Sequence, residues 1–384
     1  MADKVRVGVI GLGNMGSGHI RNFAEGRMPE IDITAIADID EKKFAPMLEL
    51  VPQAKCFGTA TELMHSGLVD AILICTPHYF HPPMAIEGLN AGLHVMSEKP
   101  AGVYTKQVRE LIAVADKSDK TYAIMFNQRT NCIYRKVREL VQSGAYGEMK
   151  RVSWIITDWF RTQAYYESSA WRATWEGEGG GVMLNQCPHQ LDLWQWICGM
   201  PTKIRAICHE GKWHDIEVED DVTAYLEFDG GATGVFITTT GEQPGTNRLE
   251  ISCDRGKLIA ENDKLTLYKL PMSEREFCVT TPGGFDKMPV EISEVPTDGK
   301  NEQHVAVLNA FAGKILRGEP LIADGCEGIR GLTLSNAMHL SSWLGKPVDV
   351  PFDEALFLKL LNERRASSRR KEDRDVSFST EGSY

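Results

Sequence analysis

The chain of 384 residues has 42% hydrophobic and 25% charged residues and a formal charge of −11. That composition excludes a disordered or fibrous protein and leaves length for two domains with a large core. The acidic balance argues against a nucleic-acid partner. No apolar run reaches the roughly 18 residues of a membrane span, and the start MADKVRVGVIGLG lacks an apolar leader. A cytoplasmic protein without membrane contact is therefore expected. Nine cysteines without a C-x-x-C pair point to reduced thiols, with no disulfide framework and no metal.

In chain order, residues 4–10 alternate in a short β-branched run and predict a strand. A helix is expected over 14–26, a strand over 31–37, and a helix near 40–50. The fully apolar run 69–75 suits the interior of a parallel sheet. A helix closing at Gly92, a strand at 93–97, a helix at 105–117 and a strand at 121–126 continue the alternation. This pattern predicts a doubly wound parallel sheet, a Rossmann-type α/β domain spanning 1–127. Beyond about residue 148, strands are expected at 151–160, 202–209, 221–228, 232–240, 247–253, 257–260 and 264–270. With helices at 182–198, 301–317 and 325–344, they predict an α+β domain over 128–350. Its sheet should be open and mainly antiparallel, and its last helices are placed to pack back on the first domain. Residues 351–384 read as a C-terminal helix and polar tail.

The first strand runs into Gly11-Leu12-Gly13-Asn14-Met15-Gly16, a G-x-G-x-x-G that opens a helix. Glycines there allow a tight turn, close approach of a pyrophosphate and close helix–strand contact; the helix N-terminus adds N–H donors. Asp38 ends the second strand where an acid can bind a ribose 2′-hydroxyl and repel a 2′-phosphate, which favours NAD over NADP. Cys75-Thr76-Pro77, with His81 close behind, and Glu98-Lys99-Pro100 follow strands at their carboxyl ends, where such sheets bind ligands. Lys99 could there contact the nicotinamide ribose and stabilise an alkoxide. Asn127, at the domain junction, is a further cofactor candidate, and Asn127, Arg129 and Tyr134 there are weaker candidates for reading the substrate.

If 182–198 is one helix, Asn185, His189 and Asp192 share a face at i, i+4 and i+7, with Pro188 near its first turn. Trp159, Arg161, Tyr165, Tyr166, Trp171, Arg172 and Trp175 suit a pocket wall that stacks on sugar rings and holds hydroxyls or carboxylates. The acidic run from His214 to Asp221 is expected to be a solvated strand edge rather than a metal site. The basic cluster Arg364, Arg365, Arg369, Arg370, Lys371 and Arg374 is expected to be a solvated helix end, with a subunit contact or weak anion site as the alternative.

GLGNMG, Asp38, CTPHYFH at 75–81, AGLHVMSEKP at 91–100 and GGGVMLNQCPHQLD at 179–192 follow one another in an order and spacing that resembles the Gfo/Idh/MocA oxidoreductases, over about residues 4–350. The resemblance implies NAD as cofactor, a cis Lys99–Pro100 peptide, and an open sheet that often forms subunit contacts, hence a homodimer or homotetramer. It also implies His189 as the proton-transfer residue with Lys99 beside it, and Arg172 near the substrate, with Asn185, Trp159, Tyr165 and Asp192 as further substrate-pocket candidates. Inositol dehydrogenase-like members carry aspartate at the position of Asn185, so a carboxylate–histidine relay is in doubt and Asp192 is expected to orient rather than react. The implied activity is hydride transfer between NAD and a ring carbon of a sugar, glycoside or cyclitol. Two alternatives remain: glycoside cleavage or epimerisation through a transient keto sugar with NAD retained, and a non-catalytic NAD-binding sensor.

Overall fold

In a computed structural model of the chain, which describes residues 4–369, two sheets organise the molecule. The first half contains β1 (Val5–Ile10), α1 (Asn14–Ala24), β2 (Ile31–Ala37), α2 (Phe44–Leu48), β3 (Lys55–Phe57) and α3 (Ala60–Met64). It continues with β4 (Ala71–Ile74), α4 (His81–Asn90), β5 (His94–Ser97), α5 (Thr105–Ala115) and β6 (Tyr122–Ile124). The strands lie in the order β3-β2-β1-β4-β5-β6 and every pairing is parallel. All four residues of β4 are buried, as a strand covered on both faces requires. The order reverses between β1 and β4, so a crevice opens at the carboxyl ends of these two strands.

The second half contains α6 (Cys132–Gln142), β7 (Met149–Ile156), α7 (Gln163–Glu167), α8 (Pro188–Cys198), β8 (Lys203–Glu210), β9 (Glu219–Glu227) and β10 (Thr233–Thr239). After these come β11 (Asn247–Cys253), β12 (Gly256–Glu261), β13 (Lys264–Lys269), α9 (Glu274–Thr280), β14 (Glu291–Glu294), α10 (Gln303–Arg317), α11 (Gly328–Leu344), β15 (Val348–Asp349) and α12 (Glu354–Ala366). The sheet order is β14-β13-β12-β11-β7-β10-β9-β8-β15, antiparallel except for the parallel pair β7–β10. One face alternates buried residues such as Val152, Trp154 and Ile156 on β7 and packs under α8 and α11. Trp194 of α8 stacks on Phe228 and meets the edge of Phe236. Burial of such aromatic side chains supplies much of the driving force, about 25 cal/mol per Å² of apolar surface.

Two helices tie the halves together. Val307, Leu308, Phe311 and Ala312 of α10 share a core with Val7, Val9 and Met96 of the first sheet and Ile20 of α1. Asn336 of α11, fully buried, donates to the Val103 carbonyl at 3.0 Å and accepts the Thr105 N–H at 3.1 Å.

The structure departs from expectation at several places. The helix expected from residue 182 begins at Pro188; residues 182–187 form turns. Proline lacks the N–H a helix interior needs and disfavours helical backbone just before it, so it serves as a first-turn residue. Asn185 therefore precedes the helix and does not share its face. The short β3 and α3, together with α6, lie in stretches for which no element was expected. The acidic run is not a solvated edge: Glu219 and Asp220 are completely buried. Glu219 accepts the Gly181 and Met183 N–H groups and pairs with His339, while Asp220 caps the N–H groups of Lys212, Trp213 and His214. Backbone donors compensate the desolvation of each carboxylate. Arg364 stacks on Trp343 at 4.0 Å and Arg365 on Tyr79 at 4.8 Å, so this end of α12 is packed rather than simply solvated. Arg370, Lys371 and Arg374 lie outside the described residues.

Candidate active site

At the crevice, Gly11 holds φ +92°, and a Cβ on it would stand 2.7 Å from the Cys75 carbonyl oxygen. A Cβ on Gly16 would stand 2.0 Å from the Gly11 carbonyl oxygen. These two glycines let α1 abut the β1 and β4 ends. Gly13 is different: a Cβ there would meet nothing within 4 Å, and no side chain caps the α1 N-terminus that follows it. Gly13 and Asn14 are exposed and Met15 half-buried. An uncapped N-terminus behind an open glycine is the shape a pyrophosphate requires. Asp38 borders the same turn, accepting the Leu12 N–H at 2.7 Å and the Asp40 N–H at 2.9 Å, with Lys43 3.1 Å from both oxygens. Thr76 and Pro77 are half-buried at the β4 end. Burial pushes the Cys75 thiol well above its usual range, so it remains protonated. Asn127 is fully buried, donates to Gln303 at 2.6 Å, and its Oδ1 has no hydrogen-bond partner.

Two residues expected to hold cofactor turn inward instead. His81 sets Nδ1 2.8 Å from the Pro100 oxygen and Nε2 2.7 Å from the Thr76 oxygen, and so joins the two loops. Glu98 meets His19 Nε2 at 2.7 Å and the Lys99 N–H at 3.2 Å. Burial pushes the Glu98 carboxyl up, but the hydrogen bond and charge of His19 outweigh it and hold the group at about 2. Both side chains shape the loop that carries Lys99, and burial leaves them no free polar atom to offer a ligand.

Lys99 and His189 do converge. The Lys99–Pro100 peptide is cis. Lys99 Nζ donates to the main-chain oxygen of Asn185 at 2.9 Å, four residues before His189. Burial lowers the Lys99 ammonium. Burial, and then the Lys99 charge, hold the His189 imidazole well below its usual value, so it is neutral at pH 7. Its Nδ1 has no partner, and the ring edge packs on Phe126 at 6.3 Å. Asp192, expected nearby as a substrate or orienting group, gives both oxygens to Arg129 at 2.7 Å. It anchors α8 to the loop after β6 and does not face a ligand.

The aromatic segment forms a connected wall. Arg161 lies over the rings of Trp159 and Tyr165, and Arg172 over those of Tyr165 and Trp171. The Tyr165 hydroxyl accepts from Arg172 Nη1 at 2.7 Å and from Gln186 at 3.2 Å, and donates to Asn185 Oδ1 at 3.3 Å. Sequence reasoning missed two members of this site. Glu178 lies beneath Asn185 and Arg172. His78 edges onto Trp171 at 5.6 Å and sets Nδ1 3.2 Å from the Glu178 carbonyl oxygen. His78 sat inside a motif already singled out; for Glu178 the only available signal was its place before three glycines.

A glycine-turn crevice at the carboxyl ends of β1 and β4, with Lys99 following β5 in the same sheet, marks a pyridine-nucleotide oxidoreductase. Comparison with known proteins makes this specific. Residues 5–126 match the oxidoreductase family with an NAD-binding Rossmann fold, and residues 134–259 match the GFO/IDH/MocA C-terminal domain. The chain belongs to the Gfo/Idh/MocA family of NAD-binding oxidoreductases. It is 23% identical over 363 residues to the uncharacterized oxidoreductase YrbE of Bacillus subtilis, covering 93% of this chain and 99% of the relative. It is 26% identical over 274 residues to the myo-inositol 2-dehydrogenase of Thermotoga maritima, covering 69% and 78%. Among solved structures, the WlbA dehydrogenase of Chromobacterium violaceum, in complex with NADH and UDP-GlcNAcA, superposes with a TM-score of 0.78 at 26% identity, covering 92% and 98%.

Proposed function

We propose that the protein is a dehydrogenase acting on a ring CH–OH, or in reverse a ring C=O, of a sugar, glycoside or cyclitol. Bound NAD supplies the hydride acceptor; Gly11, Gly13, Asn14, Met15 and Gly16 would hold its pyrophosphate and Asp38 a ribose hydroxyl. The observation that carries the proposal is the approach of Lys99 to His189: the ammonium grips the main chain leading into the histidine's helix, and burial, aided by that charge, keeps the imidazole neutral. A neutral imidazole can take the hydroxyl proton. The ammonium favours the oxyanion that forms as hydride departs. Tyr165, Arg172, Asn185 and Trp159 offer hydroxyl-binding groups and stacking faces suited to a polyol ring. Relatives named for myo-inositol and for a UDP-sugar acid support this substrate class.

The test is NADH formation by the purified protein with a panel of inositols, hexoses, glycosides and uronates. Turnover of at least one is expected, and Lys99→Ala and His189→Ala should each lose about 10²–10⁴-fold in kcat while retaining NADH binding. Full activity in either variant, or no reaction across the panel, would overturn the proposal. Product release without net NADH would point instead to transient oxidation with NAD retained.

A further inference from the structure

Glu178 takes no part in the proton and hydride steps above, yet its side chain is 1% exposed and it touches the substrate wall on several sides. Ala173 holds φ 56°, a left-handed conformation that is costly for a residue with a Cβ. In that conformation its N–H meets Glu178 Oε2 at 2.5 Å. The other oxygen, Oε1, accepts from the Asn185 side-chain amide, and the Arg172 guanidinium stands 3.8 Å away. Burial holds the Glu178 carboxyl above its usual range, and Arg172 and these two hydrogen bonds offset that only in part.

The consequence falls on Asn185. An amide has a donor end and an acceptor end, and its partners decide which way it faces. Both Glu178 oxygens receive N–H donors, so the NH2 of Asn185 turns to Glu178 and its Oδ1 turns to Tyr165, whose hydroxyl donates to it at 3.3 Å. The Tyr165 oxygen in turn receives Arg172 and Gln186. The direction of this whole chain of hydrogen bonds follows from one buried acceptor. Asn185 is also gripped from the opposite side, where Lys99 holds its main-chain oxygen at 2.9 Å.

Resting on the dehydrogenase reading, we propose that Glu178 is the positioning residue of the substrate pocket. It pins the Asn185 amide so that the carbonyl oxygen, with the Tyr165 hydroxyl it orders, is presented to a donor hydroxyl of a polyol substrate.

The test exchanges the two groups. Glu178→Gln keeps a carbonyl for the Ala173 N–H but sets one NH2 against another, so Asn185 must flip or lose its partner. Combining Glu178→Gln with Asn185→Asp restores a donor–acceptor pair of reversed polarity and leaves an acceptor facing Tyr165. Asn185→Asp alone confronts two carboxylates. Calorimetry on the NADH-loaded full chain measures affinity for whichever of myo-inositol, glucose, methyl glucoside and glucuronate binds the wild type most tightly. NADH affinity, melting temperature, KM and kcat are followed alongside. Either single variant should weaken polyol binding and raise KM about tenfold, since a hydrogen bond to a charged group is worth roughly that much. NADH affinity should stay at the wild-type value whatever the change in melting temperature, and the double variant should recover most of the polyol affinity. Unchanged polyol affinity in Glu178→Gln, no recovery in the double variant, or a matching loss of NADH affinity would each overturn the proposal. If the wild type binds a polyol but forms no NADH, the dehydrogenase reading fails while the affinity series still decides the role of Glu178. If it binds none of the four, both fail.

Discussion

Both oxygens of Asp192 are occupied by the Arg129 guanidinium, and the carboxylate is 1% exposed. Removing it would leave a buried cation whose remaining carboxylate partner among the described residues is Glu327, at 2.6 Å. A stranded buried charge is expensive, so Asp192→Ala should cost about 3 kcal/mol. Urea unfolding measures this; a loss below about 1 kcal/mol would mean the pair is only ornamental to stability. Residues of this kind were the least legible from sequence. Lys99 and His189 drew notice because each sits in a motif whose neighbours limit its surroundings. Asp192, Glu98 and His81 sit in the same motifs, yet structure gives them to Arg129, His19 and two carbonyls. A motif restricts where a side chain lies, but its hydrogen-bond partner comes from a distant part of the chain. Asn185 shows the converse. From sequence it looked like a lost carboxylate, while the carboxylate that meets it stands seven residues earlier in a segment without a recognisable pattern.

Among the elements, the strands of the first sheet were readable nearly to the residue because their apolar runs are bounded by polar turns. β2 and β11 lie where the alternation places them. The three-residue β3 is too short for any period to register. α6 had a usable signal, since Ile133, Val137, Leu140 and Val141 recur at helical spacing, but only Val137 of these is fully buried and its charged residues mask the stripe. The start of α8 was misplaced because apolar residues continue through 182–184, upstream of the proline that sets the boundary. The glycine turn before α1 permits a sharp prediction. In Gly16→Ala the new Cβ meets backbone 2.0 Å away, not a side chain that can rotate. α1 must then withdraw from the β1 end. NADH affinity should fall at least tenfold, as one hydrogen bond's worth of misplacement would cause. A fluorescence titration showing wild-type affinity would refute this.

For the whole molecule, burial of neutral histidines makes stability depend on acid. Burial first, and then the charges of His19 and Lys99, lower His304 to about 4, against an ordinary 6.5. Below pH 6.5 the unfolded chain takes up this proton and the folded chain does not, so stability is full above that value and is lost as pH falls toward 4. Completed, that loss is about 3 kcal/mol. Glu98, held at about 2 against 4.5, is full above its unfolded value and adds a second loss between those limits. The melting temperature should therefore begin to fall near pH 6.5, well above the carboxylate range, and His304→Asn should make this upper part of the curve shallower, the other buried histidines keeping the rest. A melting temperature that stays level down to pH 5 would contradict the assignment.

The return of α10 to the first sheet has a consequence for how such a chain can be divided or recombined. Val307, Leu308 and Phe311 cover apolar side chains contributed by strands nearly three hundred positions earlier. The nucleotide-binding half is thus not a cassette that ends where its last strand ends. A fragment cut at that point would expose a hydrophobic flank to solvent, and a chimera joining this half to a foreign substrate domain would inherit a cover shaped for a different surface. Any exchange of specificity by splicing has to carry this late helix with the early half, so the natural unit of inheritance here is discontinuous in the gene.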